Sequence, residues 1–419
     1  MNAHARSLTP TGLLGDFRLL LILFAAFRLT MLIVYQPLLL NGMERGVAAG
    51  GDFGTYFLLG GLTGEGLLPF RDWWSEFPPI PSYLITAIYS LLGAEPRYDS
   101  FAMLFGLCML ACDIGNLLLV RRIGSRVHSA ATGIALAWVY AVMSAPAIFI
   151  WWNFEPLVTF WLLLALAWMV ERRHLVSAAA AGIGALVKFT PALLIGVMWR
   201  YRKPAQALRY TLIAAAVFFG VYLLLFAQNA AMTMPSLTAQ FGKASYQTVW
   251  ALIDGNYRTG NFGPVEDRFD PARAGDVLGN PAVIPGIIRL AVAAALGLAI
   301  FYRVRRTDEQ GLIAFLTLAL LIFFLQAQGW STQWLAQIIP LMLLALPTRD
   351  TVMALVLLSA LSFVEYPFLF LRTGETGGVI TGGLVTPFIA LILARTLLLI
   401  ALCIALYRRL RQTPIPDAA

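Results

Sequence analysis

Apolar runs long enough to cross a lipid bilayer recur from one end of this chain to the other, and short clusters of arginine stand between them. Within a membrane the backbone polar groups must be satisfied internally, which leaves helices or closed barrels. Runs of roughly 20 apolar residues fit helices, because barrel strands are about half as long and alternate in polarity. The runs cover residues 17–40, 99–120, 129–147, 153–171, 175–188, 190–200, 207–227, 282–302, 311–327, 333–346, 350–370 and 383–407. Of the 419 residues, 59% are hydrophobic and 12% charged. Soluble domains carry about 45–50% and about 25%, so a water-soluble fold is excluded. The sequence predicts one all-α polytopic membrane domain over residues 1–419, with about 12 transmembrane helices.

The formal net charge of +8 does not point to nucleic acid, because the basic residues are grouped between apolar runs. Arg121, Arg122 and Arg126, then Arg172 and Arg173, then Arg200, Arg202 and Lys203, then Arg303, Arg305 and Arg306, and finally Arg408, Arg409 and Arg411 fall on one side if residues 78–93 do not span. The positive-inside rule makes that side cytoplasmic, with both termini on it. Residues 78–93 then read as a juxtamembrane helix, entered through Pro78-Pro79 and left at Gly93. The fifth and sixth runs are short, and Lys188 and Pro191 lie between them, which predicts a broken element. Cys108, Cys112 and Cys403 all sit in apolar runs, so no disulfide framework is expected. The first run has no small-residue cleavage site, so it reads as a span and not as a signal peptide.

The same parity places two long polar segments, 41–98 and 228–281, on the external face of the membrane. His4, His128 and His174 fall on the cytoplasmic side, which leaves carboxylates as the external general bases. Asp52 follows Gly50-Gly51; it reads either as a base under the membrane surface or as a helix N-cap. Asp72 and Glu76 flank Trp73 and Trp74, rings that would also suit an ordinary interfacial belt. Lys188 closes an apolar run with no acidic neighbour in sequence, and either holds an anion or snorkels to the interface. For Arg28, Asp113 and Arg395, also within apolar runs, ion pairs between helices are the favoured role. In the second external segment Trp250, Asp254, Asn256, Tyr257 and Arg258 offer stacking faces and hydrogen-bonding groups suited to a sugar.

The order Asp52-x-x-x-Tyr56, Pro69-Phe70-Arg71-Asp72, Glu76-Phe77-Pro78-Pro79, then Asn153-Phe154-Glu155 and Lys188-Phe189-Thr190-Pro191 resembles the GT-C membrane glycosyltransferases. Within them it is most similar to family 87, the polyprenol-phosphate-mannose-dependent α-mannosyltransferases. The likeness covers most of the chain from Leu13 to about Phe370, including the turn Gly329–Pro340 that carries Gln333. It implies that Asp52 is the base and that the donor is a polyprenyl-phosphate sugar. The acceptor hydroxyl would belong to a glycolipid, a glycan or a protein. Some relatives have Asp-x-Asp in this loop, whereas position 54 is Gly here, so a divalent metal is not favoured.

On this reading Lys188, Arg71 and Arg258 would hold the donor phosphate. Tyr56, Asp72, Trp73, Trp74, Glu76, Asn153, Glu155, Trp250, Asp254, Tyr257 and Gln333 would surround the substrates, with Glu155 a second carboxylate and the three tryptophans and Tyr257 as stacking faces. Two other classes share the hydropathy: a transporter or flippase for a lipid-linked sugar, and a non-catalytic assembly subunit. The absence of a repeated half, and the polar residues gathered on one face, weigh against the transporter.

Overall fold

The computed structural model describes residues 10–35, 52–143, 153–260, 264–276, 278–373 and 376–413, so Gly50 and Gly51 lie outside the described residues. Each apolar run contains a helix, and two further helices lie between the first and second runs. In chain order these are α1 (Phe17–Tyr35), α2 (Asp52–Gly64), α3 (Pro79–Leu91), α4 (Tyr98–Val127), α5 (Ala130–Val142), α6 (Glu155–Val170), α7 (His174–Ala185), α8 (Leu193–Tyr201), α9 (Pro204–Thr233), α10 (Gly286–Arg303), α11 (Glu309–Gln326), α12 (Leu335–Ala345), α13 (Arg349–Phe363) and α14 (Val385–Arg411). α3 is the juxtamembrane segment, and Pro79 opens it because a first-turn residue needs no amide hydrogen. Among the described residues five helices are long and apolar enough to cross a membrane: 98–127, 204–233, 286–303, 309–326 and 382–411. Of the remaining runs, the first gives α1, with 19 residues, and the others give shorter helices. Between α7 and α8 the chain turns through a 3₁₀ segment, Thr190–Ala192, as Pro191 requires.

Two helices fill the centre. Every residue of α12 is buried, and α11 buries 12 of its 18. Apolar character on all sides suits a helix surrounded by others. By contrast α10 turns Ile287, Ile288, Val292, Leu296 and Leu298 outward at 50–73% exposure, the pattern of a lipid-facing surface.

The two ends of the bundle differ in chemistry. At one end Arg172 and Arg202 both pair with Glu309, Arg122 pairs with Glu171, and Arg306 and Arg409 meet at Gln310. α6 runs from Glu155 to that end and α11 runs from Glu309 away from it. Asp52, Glu155, Lys188, Gln326 and Gln333 therefore gather at the opposite end. α6 has 16 residues, about 24 Å of rise, which is shorter than the about 30 Å of bilayer hydrocarbon.

Candidate active site

A cavity of about 780 Å³ opens at this end, lined from α2, the 75–82 segment, the α7–α8 turn, the loop after α9, the start of α10 and the turn before α12. Asp52 is the first residue of α2 and lines it. Gln333 Nε2 donates to Asp52 Oδ2 at 3.2 Å, and Tyr56 Oη, one turn along α2, donates to the same oxygen at 3.5 Å. No donor among the described residues is placed on Oδ1. Burial pushes the Asp52 carboxyl up to about 6, against the lowering effect of the Gln333 bond and the Lys188 charge.

Glu155 is held differently. One of its oxygens meets the Lys188 ammonium and the other accepts from Gln337 Nε2 at 2.8 Å, while Thr190 Oγ1 donates to Gln337 Oε1 at 2.8 Å. Asn153 Oδ1 accepts from the Glu155 amide at 2.7 Å and fixes the first turn of α6. Both oxygens of Glu155 are engaged and its side chain is 1% exposed, so it acts as an anchor. Lys188 has a carboxylate partner that lies 33 residues away in sequence, and its side chain is only 18% exposed; it does not reach out to bulk water. The pair offsets the cost of burying the lysine in an apolar surround.

A second charged cluster occupies the loop side of the cavity. Glu76 meets both the Lys243 ammonium and Arg268 Nη2, the latter at 3.3 Å. Trp74 lies against Arg268, with the guanidinium carbon 4.2 Å from its ring centre, and its indole donates to the carbonyls of Asp267 and Asp270. The loop carrying Lys243 is fastened to the turn before α12 where Tyr246 and Gly329 pair. A Cβ at Gly329 would stand 2.2 Å from the Tyr246 ring, so only glycine permits that approach.

Of the residues expected at the site, Asp52, Tyr56, Glu76, Asn153, Lys188 and Gln333 line the cavity and Glu155 lies directly behind Lys188. Others are placed elsewhere. Arg71 is exposed and paired with Asp72; Arg258 donates to the Leu278 carbonyl; Asp254 accepts from Ser245 Oγ at 2.5 Å and from the Val283 amide, which makes it a loop anchor. The four expected stacking faces also lie outside the lining. Trp73 is fully buried, Trp74 is spent on Arg268, Trp250 donates to the Leu325 carbonyl, and Tyr257 packs on Phe388. Trp330, Trp334 and Tyr246 line the cavity in their stead. Sequence reasoning passed over Lys243, Arg268 and Arg289, all in the lining. One signal was available. The chain has 3 lysines, and Lys243 stands alone in a polar loop, outside any basic cluster. Among the described residues no group of three His, Cys, Asp or Glu side chains is disposed to hold a metal ion.

The family model of glycosyltransferase family 87 matches residues 78–327, more than half of the chain. The chain belongs to glycosyltransferase family 87. It is therefore a multi-pass membrane glycosyltransferase, as the ordered motifs implied. The match takes in Asn153, Glu155, Lys188, Lys243, Arg268 and Arg289, and begins after Asp52. Comparison with curated proteins yields no match. Among solved structures, ArnT from Cupriavidus metallidurans bound to undecaprenyl phosphate is 15% identical, with a TM-score of 0.48 over 96% of this chain and 73% of ArnT. The oligosaccharyltransferase of Archaeoglobus fulgidus in its apo form is 12% identical, with a TM-score of 0.42 over 95% of this chain and 56% of its own.

Proposed function

We propose that this glycosyltransferase moves a sugar, mannose by the family likeness, from a polyprenyl-phosphate donor to an acceptor hydroxyl at the external face of a bacterial plasma membrane, with inversion. The carrying observation is Asp52: a carboxylate raised to about 6, oriented through one oxygen by Gln333 and Tyr56, at the wall of a cavity sunk into a membrane bundle. A base of that pKa is deprotonated at neutral pH and still takes a proton readily.

In the reaction, Asp52 accepts the proton of the acceptor hydroxyl as that oxygen attacks the anomeric carbon. The bond from that carbon to the phosphate oxygen breaks on the opposite face, and its electron pair leaves with the phosphate. A β-linked donor gives an α-glycoside. Charge grows on the leaving phosphate, and fixed cations stabilise it most in a water-poor cavity. Lys188 is a cation whose charge bears on the base; Lys243 and Arg268 both meet Glu76, and since burial and the neighbouring Arg268 lower Lys243 to about 7, Arg268 is the fixed charge of that cluster. The acceptor is a glycolipid, a glycan or a protein.

The test is purified protein in sealed vesicles with labelled polyprenyl-phosphate mannose. Transfer to an acceptor is the expected result, and movement of the lipid across the bilayer without transfer would replace this reading with a flippase. Sidedness is read by an impermeant thiol reagent in intact cells. A cysteine at Thr376 should label, and one at Arg126 only after permeabilisation.

A further inference from the structure

Arg289 stands apart from every other cation of the cavity. It lies in the first turn of α10, is 5% exposed, and lines the cavity, yet no carboxylate among the described residues pairs with it. Among the described residues its Nε and Nη1 have no hydrogen-bond partner; Nη2 makes one long contact, 3.4 Å, to Gln328 Oε1, and the guanidinium lies 5.2 Å from the Trp250 ring centre. Buried arginines are ordinarily satisfied on both edges, because an unpaired buried charge is costly. Nε–H shares an edge of the guanidinium fork with Nη2, whose contact to Gln328 is long, so a phosphate that takes Nε and Nη2 together is bound through two oxygens, with Nη1 left free on the other edge.

The setting says what carries that phosphate. Arg289 is two residues, about half a turn, from Ile287, so the two side chains leave the helix on nearly opposite sides; Ile287 lines the cavity and is also 73% exposed on the outward apolar face of α10. The cavity thus reaches the lipid-facing surface at the start of this helix. The helix opens there at Pro285 with no side-chain cap, so first-turn amides and the positive end of the helix add to the arginine. An anion with a long apolar tail fits both features at once: head group on Arg289, tail along Ile287, Ile288 and Val292 in the bilayer.

We infer that the start of α10 is the lateral mouth of the cavity and that Arg289 holds the phosphate of a lipid entering through it. This rests on reading the cavity as a site for a lipid-borne substrate, and goes beyond the groups around Asp52. Either a polyprenyl-phosphate donor or a phospholipid-anchored acceptor presents that chemistry.

The experiment is equilibrium binding to full-length protein in phosphatidylcholine nanodiscs, with undecaprenyl phosphate, the neutral alcohol undecaprenol, and phosphatidylinositol as probes. Arg289→Gln should weaken a phosphate-bearing lipid roughly 10–100-fold and leave undecaprenol unchanged, with Arg289→Lys recovering part of the loss. Loss confined to undecaprenyl phosphate assigns the mouth to the donor, and loss confined to phosphatidylinositol assigns it to the acceptor. Undiminished binding of both phosphates overturns the proposal, as does an equal loss for undecaprenol, which would mark Arg289 as structural. The thermal midpoint of Arg289→Gln should hold or rise, since a buried unpaired charge has been removed. Ile287→Trp should slow association of undecaprenyl phosphate and not of a water-soluble short-chain analogue; equal rates for both would overturn the lateral mouth. Binding is read without turnover. Wild-type protein that binds these lipids but transfers no sugar would overturn the proposed reaction and leave the phosphate site standing.

Discussion

The cavity has two acid–cation clusters, and they are unbalanced in opposite directions. Around Asp52 two carboxylates share one lysine, since Glu155 already holds Lys188. Around Glu76 one carboxylate is shared by two cations, Lys243 and Arg268. Burial raises the Asp52 carboxyl, against a Lys188 charge that lowers it more than the Glu155 charge raises it, and this suits a group that must accept a proton, whereas cations gathered on one carboxylate suit a group that must hold an anion. A glycosyl transfer from a lipid phosphate needs one of each. The placement of charge, more than any single residue, divides the labour.

The sharpest way to break that division is to remove proton acceptance where it is assigned. Asp52→Asn keeps the shape and the Gln333 contact, and transfer should fall roughly 10²–10⁴-fold with the thermal midpoint little changed. Wild-type rates would return Asp52 to helix capping. The pH profile checks the same residue without mutation. Because burial raises Asp52 to about 6, the deprotonated base is lost as pH falls through that value, and kcat/KM should drop about tenfold per unit below it. A limb near the ordinary carboxylate range would mean that the burial is not felt in the working enzyme.

Lys188 comes next in size. Lys188→Gln should slow transfer roughly 10–100-fold, through loss of a charge-assisted contact to the leaving phosphate. The same change strands Glu155 in a buried site, at a cost of about 3–5 kcal/mol for a broken buried pair, so stability should fall as well. The double variant Lys188→Gln, Glu155→Gln removes both charges. It should recover stability without recovering rate, and a double variant that recovered both would reduce Lys188 to a counter-ion for Glu155.

Glu76→Gln sharpens the other half of the comparison. It leaves Lys243 and Arg268 without their carboxylate, so undecaprenyl phosphate should bind several-fold more tightly while the thermal midpoint falls. Proton acceptance should be untouched, which appears as an unmoved pH limb. Weaker phosphate binding would show that Glu76 organises the cations instead of competing with the phosphate for them.

The fold was legible because each apolar run had no structure open to it but a helix, and the Pro78-Pro79 start marked α3 as surely as any span. Helix lengths were less so: where Pro191 or Pro156 interrupts, a run of suitable length yields a helix of 9 to 16 residues. The base end of the site could be read from Asp52 and Lys188, polar groups that an apolar setting does not tolerate without a reason. Lys243, Arg268 and Arg289 could not. They are basic residues in or next to a polar loop, where composition is uninformative, and only the fold aims them inward. The aromatic residues failed for the converse reason: a tryptophan such as Trp73 or Trp250 serves packing as readily as sugar contact, and sequence does not say which face is covered.

The smallest expected effect tests the boundary of the site. Arg71 sits in the same sequence block as Asp52 and Glu76 and carries a charge fit for a phosphate, but its side chain is 44% exposed, pairs with Asp72, and lies outside the cavity lining. An exposed ion pair contributes little, because water and salt screen it and two long side chains must be ordered to form it. Arg71→Gln should therefore change transfer rate and donor KM by less than about twofold, within the spread of ordinary surface substitutions. The contrast with Lys188→Gln, measured under the same donor concentrations, is what matters. If Arg71→Gln raised the donor KM as much as Lys188→Gln does, the 66–72 turn would have to swing its arginine over the cavity when donor binds, and the positive charge that receives the phosphate would be assembled by the ligand instead of standing ready on Arg268 beside Lys243.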